Sequence, residues 1–194
     1  MEPQVAYSKP PVYIGIDPGL SGGVAIIVGT TVKLYPFMKL LTSGFIDLMQ
    51  GVLGYGSEVK CILEKVSAFP AAVEDTTPCP QCGTGVHTMK MIRGATSTWT
   101  FAQNYGEIIG VLRALGVPFE ERPPKAWQGL VFMKKDRGES QSSWKGRLKD
   151  KGRQLYPNVV GLTLPVADAL LIAHFCRAYY TGKVDLPPVK ELPF

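Results

Sequence analysis

Short apolar runs separated by glycine- and proline-rich turns open the chain, and longer patterns of helical period follow. Strands are predicted at residues 12–17, 24–28, 32–35, 59–64 and 117–121. Helices are predicted at residues 45–53, 96–115, 125–132, 143–155 and 164–180. This order of elements predicts an α/β fold, in which helices cover a mixed sheet.

The elements form one predicted domain, residues 12–183, between an N-terminal tail (1–11) and a C-terminal tail (184–194). Residues 66–94 have little periodicity and several prolines and glycines, so an insertion is expected there. Four aromatic residues are expected in the core rather than as platforms for nucleic-acid bases: Tyr13, Trp99, Phe101 and Trp144.

Composition places the chain among globular proteins of one domain, with 194 residues, 45% hydrophobic and 19% charged. No apolar run reaches the roughly 18 residues of a membrane span. Residues 1–11 lack the apolar core of a signal peptide, and four cysteines make no disulfide framework at this length. We therefore expect a cytoplasmic protein of a bacterium or a phage-infected cell, with an organelle left open.

The net charge of +5 is concentrated in residues 122–153, which hold ten bases and three acids. Such a block indicates a polyanionic partner, most commonly nucleic acid, although a solvated charged surface is the alternative. Lys145 and Lys149 lie one helical turn apart, as a phosphate-tracking pair would. The predicted DNA-binding bases are Lys134, Lys135, Arg137, Lys145, Arg147, Lys149 and Arg153.

Three acids stand where burial makes a charge costly. Asp17 ends the first strand, Glu64 ends the fourth, and Asp168 lies within the apolar last helix. Singly, each fits an ordinary role: an Asx turn, a solvated strand end and an acid at a helix N-terminus. Together they predict a site for divalent metal ions, the chemistry of an enzyme that cuts phosphodiesters.

Several motifs, in this order and spacing, resemble the RuvC-type Holliday junction resolvases, most closely the phage-type and organellar members. The likeness runs from about residue 12 to about residue 180. The motifs are Gly15-Ile16-Asp17-Pro18-Gly19 with Gly22-Gly23, Ile62-Leu63-Glu64, Tyr105-Gly106-Glu107-Ile108-Ile109-Gly110, Pro123-Pro124-Lys125-Ala126-Trp127-Gln128, Leu155-Tyr156-Pro157 and Ala167-Asp168-Ala169-Leu170-Leu171-Ile172-Ala173.

The resemblance implies an RNase H-like fold, a five-stranded mixed sheet with helices on both faces. It implies a homodimeric Mg²⁺-dependent endodeoxyribonuclease that nicks two strands of a four-way DNA junction, leaving 5′-phosphate and 3′-hydroxyl ends. By analogy Asp17 would bridge two Mg²⁺ (or Mn²⁺) ions, Glu64 would hold one and Asp168 the other. Lys125 would lie near the scissile phosphate, although an ordinary surface base is equally consistent with the sequence.

The chain departs from the family pattern at one position. The family carries a further acid or histidine about one turn before the last acid, where this chain has Leu164 and Pro165. His174 lies six residues beyond Asp168 and therefore on another helix face. Asp136, Glu139 and Glu107 are candidate substitutes, with Glu107 better explained as a helix-surface residue.

The insertion carries two further candidate sites. Cys79-Pro80-Gln81-Cys82-Gly83 is a metal-knuckle sequence, and His87 is a candidate third ligand for Zn²⁺. A fourth ligand would come from Cys61, from an acid such as Asp75 or from a partner subunit. Phe69, just after Glu64, is the best candidate for an aromatic wedge at the centre of a junction.

Three other functions compete with the resolvase. A degenerate relative that binds branched DNA without cutting is motivated by the missing fourth ligand. An RNase H-like nuclease acting on another nucleic acid would have the same charge and motifs. An actin-like ATPase or sugar kinase shares the Gly-Ile-Asp-Pro-Gly start, but such chains are much longer and need a second Asp-x-Gly loop, which residues 145–194 lack.

Overall fold

The computed structural model describes residues 9–40, 42–66, 72–75, 87–90, 95–131 and 133–183, with the backbone alone for 72–75, 87–90 and 95–97. The strands are β1 Val12–Asp17, β2 Gly23–Val28, β3 Thr31–Pro36, β4 Val59–Glu64, β5 Ala72–Asp75, β6 His87–Lys90 and β7 Phe119–Arg122. The helices are α1 Thr42–Gly54, α2 Ala95–Ala114, α3 Pro124–Leu130, α4 Gln141–Leu155 and α5 Leu164–Tyr180, with a 3-10 turn at Phe37–Lys39.

Five strands form one mixed sheet in the order β3-β2-β1-β4-β7. β1 pairs antiparallel with β2 and parallel with β4, and β4 pairs parallel with β7. β1 and β4 are nearly continuous apolar runs because both faces of the central strands are covered. Their parallel register brings the carboxyl ends of both strands, Asp17 and Glu64, to the same edge of the sheet.

Helices cover both faces of this sheet. On one face, α1 and α2 pack Phe45, Met49 and Leu112 against Ile14 and Ile16 of β1. On the other face, two apolar clusters join α3, α4 and α5 to the strand residues whose side chains point to that face. In one of them Ile62 packs with Trp127, Leu148 and Phe175. The predicted α/β architecture, a five-stranded mixed sheet with helices on both faces, is therefore confirmed.

Helix α5 lies directly on β1, and Gly15 makes this contact close. A Cβ atom at Gly15 would stand 2.1 Å from the backbone nitrogen of Ala173 and 2.4 Å from the carbonyl oxygen of Ala169. Ten residues of α5 are buried, so apolar residues occur on most sides of this helix rather than along one face. The close approach holds the start of α5, with Asp168, beside the end of β1.

The boundaries of α4 differ slightly from the expected ones. The helix begins at Gln141 rather than at residue 143, because the side chain of Ser140 caps it by accepting a hydrogen bond from the Ser143 N–H at 3.1 Å. Trp144 and Leu148 are buried on its inner face, as predicted.

Two sequence-based expectations are corrected by the structure. Trp99 is 73% exposed on α2, so it is a surface residue and not part of the core. Arg122, counted in the basic block, is only 5% exposed and makes a 2.7 Å ion pair with Glu120. A charge count along the chain cannot distinguish such a buried base from a surface one.

The insertion contains secondary structure that its sequence did not predict. β5 and β6 pair antiparallel as a small second sheet, with Asp75 opposite His87 in the register. No helix among the described residues is long and apolar enough to cross a membrane.

Candidate active site

Asp17 sits in a tight turn that its neighbours shape. Its side chain is 8% exposed, and its Oδ1 atom accepts a hydrogen bond from the Gly19 N–H at 3.2 Å. Gly22 packs so closely that a Cβ there would come within 2.2 Å of the Asp17 carbonyl oxygen. The Asx-turn role of Asp17 is therefore real, and it fixes the carboxylate at the sheet edge rather than excluding a functional role.

Glu64 is held at the same edge by a tryptophan. Its Oε1 atom accepts a hydrogen bond from the Trp127 indole N–H at 2.9 Å. Trp127 is almost fully buried in α3, which begins with proline in its first turn. The Pro-Pro-Lys-Ala-Trp segment therefore serves to orient Glu64, a role that its sequence alone did not indicate.

Asp168 lies in the second turn of α5, with Lys145 of α4 beside it. The Lys145 Nζ atom is 3.7 Å from Asp168 Oδ2, while Asp168 Oδ1 is buried with no hydrogen-bond partner among the described residues. A buried carboxylate oxygen without a donor is costly unless a cation or a ligand group completes it.

The three carboxyl groups are electrostatically coupled. Burial, followed by the charges of Asp17 and Asp168, raises the pKa of Glu64 to about 8, although the Trp127 hydrogen bond opposes this. Burial and the Asp17 charge raise the pKa of Asp168 to about 6, against the opposing effect of Lys145. Burial also raises the pKa of Asp17. Each of these groups would ionise more readily with added positive charge.

The chemistry of this cluster fits a divalent cation in part. Carboxylate oxygens are the ligands Mg²⁺ prefers. Asp168 Oδ1, which accepts no hydrogen bond among the described residues, is available to coordinate a cation. Nevertheless, no three His, Cys, Asp or Glu side chains within the described part of the chain are gathered closely enough to hold one ion. The ligand set Asp17, Glu64 and Asp168 therefore stays a prediction.

The raised pKa of Glu64, about 8 against an ordinary 4.5, predicts how the metal-free protein responds to pH. Between these values the folded state binds the proton more tightly than the unfolded state, so stability falls as pH rises. In EDTA, we expect the free energy of unfolding to drop by about 1 kcal/mol from pH 6.5 to pH 8. Urea denaturation at both pH values measures this drop.

Two comparisons isolate the effect of Glu64. Two other groups have shifted pKa values near this range. Asp168, with a pKa of about 6, is mostly ionised above pH 6.5 and adds little to the drop. His174, with a pKa lowered to about 4, is neutral in the folded state but about half protonated in the unfolded state at pH 6.5, so its titration offsets a few tenths of a kcal/mol of the drop. The Glu64→Gln variant should show a flatter pH dependence than the wild type, and Mg²⁺ should stabilise the wild type more at pH 8 than at pH 6.5. Equal or rising stability toward pH 8 in EDTA would contradict the raised pKa.

None of the expected substitutes for the fourth acid reaches the cluster. Asp136 and Glu139 each form a 2.9 Å ion pair with Arg147. Glu107 is exposed on α2 and contacts Thr42 and Gln103, as a helix-surface residue does. His174 faces away, with its Nδ1 atom 2.9 Å from the Tyr156 hydroxyl. The fourth charged group beside the three acids is Lys145.

Lys145 was predicted to contact the DNA backbone, and the structure places it in the acidic cluster, where its charge opposes the pKa shifts of all three acids. No sequence spacing indicated this contact, because it arises from the packing of α4 on α5. Contact with DNA stays a prediction.

The other predicted DNA-binding bases fall into two groups, those that interact with neighbouring side chains and those that form no ion pair among the described residues. Arg147 forms ion pairs with Asp136 and Glu139 and lies over the Trp144 ring, so it anchors the segment 134–139 to α4. Lys135 donates a hydrogen bond to the Gln141 side chain and forms no ion pair among the described residues. Other bases of the set form no ion pair among the described residues and are exposed or half-buried: Lys134, Arg137, Lys149 and Arg153.

Several predicted site residues are placed only partly. Lys125 is exposed in the first turn of α3, two residues before Trp127. Phe69, Cys79 and Cys82 lie outside the described residues, and only the backbone of His87 is described. Cys61 is fully buried in the core beside Cys176, which removes it as a fourth zinc ligand.

One further pair belongs near the site and was not predicted. The Tyr105 hydroxyl of α2 donates a short hydrogen bond to Glu121 of β7. Burial and this carboxylate raise the pKa of Tyr105, and the charge of Glu64 adds to the effect. The Tyr-Gly-Glu motif of α2 therefore contributes a tyrosine that ties α2 to the strand beside Glu64.

The chain resembles known proteins in its fold rather than in its sequence. No family model matches the chain, and no curated protein matches its sequence. Among solved structures, Thermus thermophilus RuvC in complex with a Holliday junction substrate aligns with a TM-score of 0.51 at 14% identity, over 89% of this chain and 96% of that one. A second Thermus thermophilus RuvC structure aligns with a TM-score of 0.48 at 15% identity, over the same shares. Together with the sheet topology, the first similarity shows that the chain has the RNase H-like fold of RuvC.

Proposed function

We propose that this protein is a metal-dependent endonuclease that cuts branched DNA, with Asp17, Glu64 and Asp168 as its acidic site. The observation that carries the proposal is three mutually coupled carboxyl groups, one buried and two half-buried, at one edge of a RuvC-like sheet. Structural acids are normally paired with bases. Three acids sharing one lysine leave a demand for positive charge that a divalent cation would meet.

Asp17, Glu64 and Asp168 would hold Mg²⁺ or Mn²⁺ through carboxylate oxygens. When bound, such ions activate water and stabilise the charge on the attacked phosphate. In the reaction, water adds to phosphorus and the bond to the 3′ oxygen breaks. The 3′ oxygen leaves with a proton, so the products carry 5′-phosphate and 3′-hydroxyl ends.

The residues around the acids would orient this reaction. The Trp127 indole N–H fixes Glu64, and the Gly19 N–H fixes Asp17, so neither carboxylate needs to reorganise when substrate binds. Lys145 would contact a phosphate oxygen and screen the repulsion between the acids and DNA. Lys125, exposed on the helix that carries Trp127, would lie along the same phosphate path.

A four-way junction is the proposed substrate because a structural neighbour, Thermus thermophilus RuvC, was solved with a Holliday junction. Two symmetric nicks require two acidic sites, and one site per chain implies a homodimer. Exposed bases on α4 and the preceding segment would contact the arms. An affinity with phage-type or organellar members and a cytoplasmic location are parts of this proposal.

A panel of substrates tests the substrate class. Purified protein with Mg²⁺ is offered a labelled four-way junction, a duplex of the same arms and an RNA–DNA hybrid at equal concentration, with EDTA as the blank. Rates at least tenfold higher on the junction would support the proposal. Faster cutting of the hybrid would identify an RNase H-like nuclease with another substrate.

A non-cutting module that binds branched DNA is the second candidate. Two observations favour it: the described acids do not form a metal-binding group of three, and the charged group beside Asp168 is a base, Lys145, rather than a further acid or histidine. Tight junction binding in Ca²⁺, with no nicks in Mg²⁺ or Mn²⁺, would favour this candidate over the enzyme.

A structural Zn²⁺ is a separate proposal, with Cys79, Cys82 and His87 as ligands. It is supported by the pairing of β5 with β6, whose register sets Asp75 opposite His87 at the end of the segment that contains both cysteines. With Cys61 buried in the core, Asp75 or a partner subunit is left to complete the set. Metal analysis of the purified protein tests the proposal.

A further inference from the structure

A group of basic residues lies near the C-terminal end of α5, apart from the acidic cluster. His174, Arg177, Thr181, Lys183, Ala178 and Leu130 line a cavity of about 450 Å³. Lys151 of α4 is close enough to act on the charge of His174. Two bases, Arg177 and Lys183, therefore line the cavity beside one imidazole, and the charge of Lys151 acts on the same imidazole from α4.

These bases have no acidic partner in the part of the chain that is described. The ion pairs found there include none with Lys151, Arg177 or Lys183. The Arg177 guanidinium instead lies over the Tyr156 ring, at 5.6 Å. Unpaired like charges gathered at one cavity repel each other, and an anion would relieve this repulsion.

The imidazole is arranged as a donor. Burial and then the charges of Arg177, Lys151 and Lys183 lower the pKa of His174 to about 4, so the ring is neutral. The Tyr156 hydroxyl lies 2.9 Å from Nδ1 and can donate to it. In that tautomer Nε2 carries the proton and is a hydrogen-bond donor. The Nε2–H group of neutral His174 could therefore donate a hydrogen bond to a phosphate oxygen whose charge is balanced by the neighbouring bases.

We propose that the cavity formed by His174, Arg177 and Lys183 binds a phosphodiester group of the nucleic-acid backbone, as a contact separate from the acidic site. This inference rests on the proposed nucleic-acid substrate. Arg177 lies nine residues beyond Asp168, about 14 Å along the helix axis at 1.5 Å per residue. Nine residues at 3.6 per turn also put Arg177 about half a turn round the helix from Asp168, so a strand that reaches both sites covers more than the roughly four nucleotide steps of 3.4 Å that the axial distance alone would take.

The test measures junction binding in Ca²⁺ across a series of salt concentrations for the wild type, Lys183→Gln and Arg177→Gln. Lys33→Gln is the control, because Lys33 is an exposed lysine on the edge strand β3 and its loss changes the net charge equally. Loss of one phosphate contact should reduce the salt slope by about 0.9 and the affinity about five- to tenfold. Unfolding midpoints near the wild-type value show that the variants fold.

A second measurement locates the phosphate. Methylphosphonates, which remove the phosphate charge, are placed one at a time at successive positions outward from the branch point of the junction. One position should weaken wild-type binding and have no further effect on Lys183→Gln. This experiment measures binding alone, so it remains informative even if the protein does not nick the junction. If Lys183→Gln nicks the junction normally and its salt slope equals that of the wild type, this inference is overturned while the proposed function is not.

The imidazole gives a third measurement, by NMR titration of His174. A junction or short oligonucleotide should raise its pKa, since a bound anion offsets the surrounding bases. A rise with inorganic phosphate but none with the oligonucleotide would overturn the nucleic-acid assignment and indicate a site for a free anion. A salt slope for Lys183→Gln equal to that of Lys33→Gln would also overturn the proposal.

Discussion

Replacing Asp17 with asparagine should reduce the rate of junction nicking at least about a thousandfold, while junction binding stays equal or becomes tighter. Asp17 is coupled to both other acids, since its charge contributes to the raised pKa values of Glu64 and Asp168. The amide keeps the shape of the side chain and can still accept the Gly19 N–H bond. The change therefore removes charge and a metal ligand without disturbing the turn.

Single-turnover nicking with saturating protein measures this loss, and junction binding in Ca²⁺ is measured beside it. Asp47→Asn is the matched control, because Asp47 is an exposed acid on α1 and its loss changes the net charge equally. The variant should also be more stable than the wild type without metal, by about 1 kcal/mol, because a buried charge is gone. Cleavage at the wild-type rate by Asp17→Asn would refute the assignment of the site.

Replacing Gly15 with alanine should destabilise the protein by about 3–5 kcal/mol. The added methyl would meet three backbone atoms of α5, the Ala173 nitrogen at 2.1 Å, the Ala169 oxygen at 2.4 Å and the Ile172 carbonyl carbon at 2.7 Å. Backbone cannot rotate out of the way as a side chain can, so α5 would have to move off β1. That movement would also carry Asp168 away from Asp17.

Urea denaturation measures the loss, with Gly51→Ala as control. Gly51 lies on an exposed position of α1, where an added Cβ meets nothing within 4 Å, so alanine should stabilise the helix by up to about 1 kcal/mol. If Gly15→Ala folds, its nicking rate should fall further than its binding affinity. Wild-type stability in Gly15→Ala would contradict the close packing of α5 on β1.

The sequence predicted the framework well where burial dictates the pattern. β1 and β4 begin and end where their apolar runs do, and α5 spans the predicted residues 164–180. Central strands and a helix buried on most sides leave continuous apolar stretches, a pattern that surface elements do not produce. The acids Asp17 and Glu64 were conspicuous because they end such stretches.

Contacts set by tertiary packing were not predictable in the same way. Lys145 looks like any base of an amphipathic helix, and only the packing of α4 on α5 brings it within 3.7 Å of Asp168. Trp127 was noted as part of a motif, but its bond to Glu64 crosses 63 positions of the chain. Trp99 was misassigned to the core because large aromatic residues are usually buried.

The most direct test of the proposed function is to map nicks on a four-way junction labelled in turn on each strand, with Mg²⁺ or with EDTA. A metal-dependent junction endonuclease should produce paired nicks at symmetric positions near the branch point, with 5′-phosphate ends, and only with Mg²⁺. Nicks that persist in EDTA, or binding with no nicks in either Mg²⁺ or Mn²⁺, would contradict it.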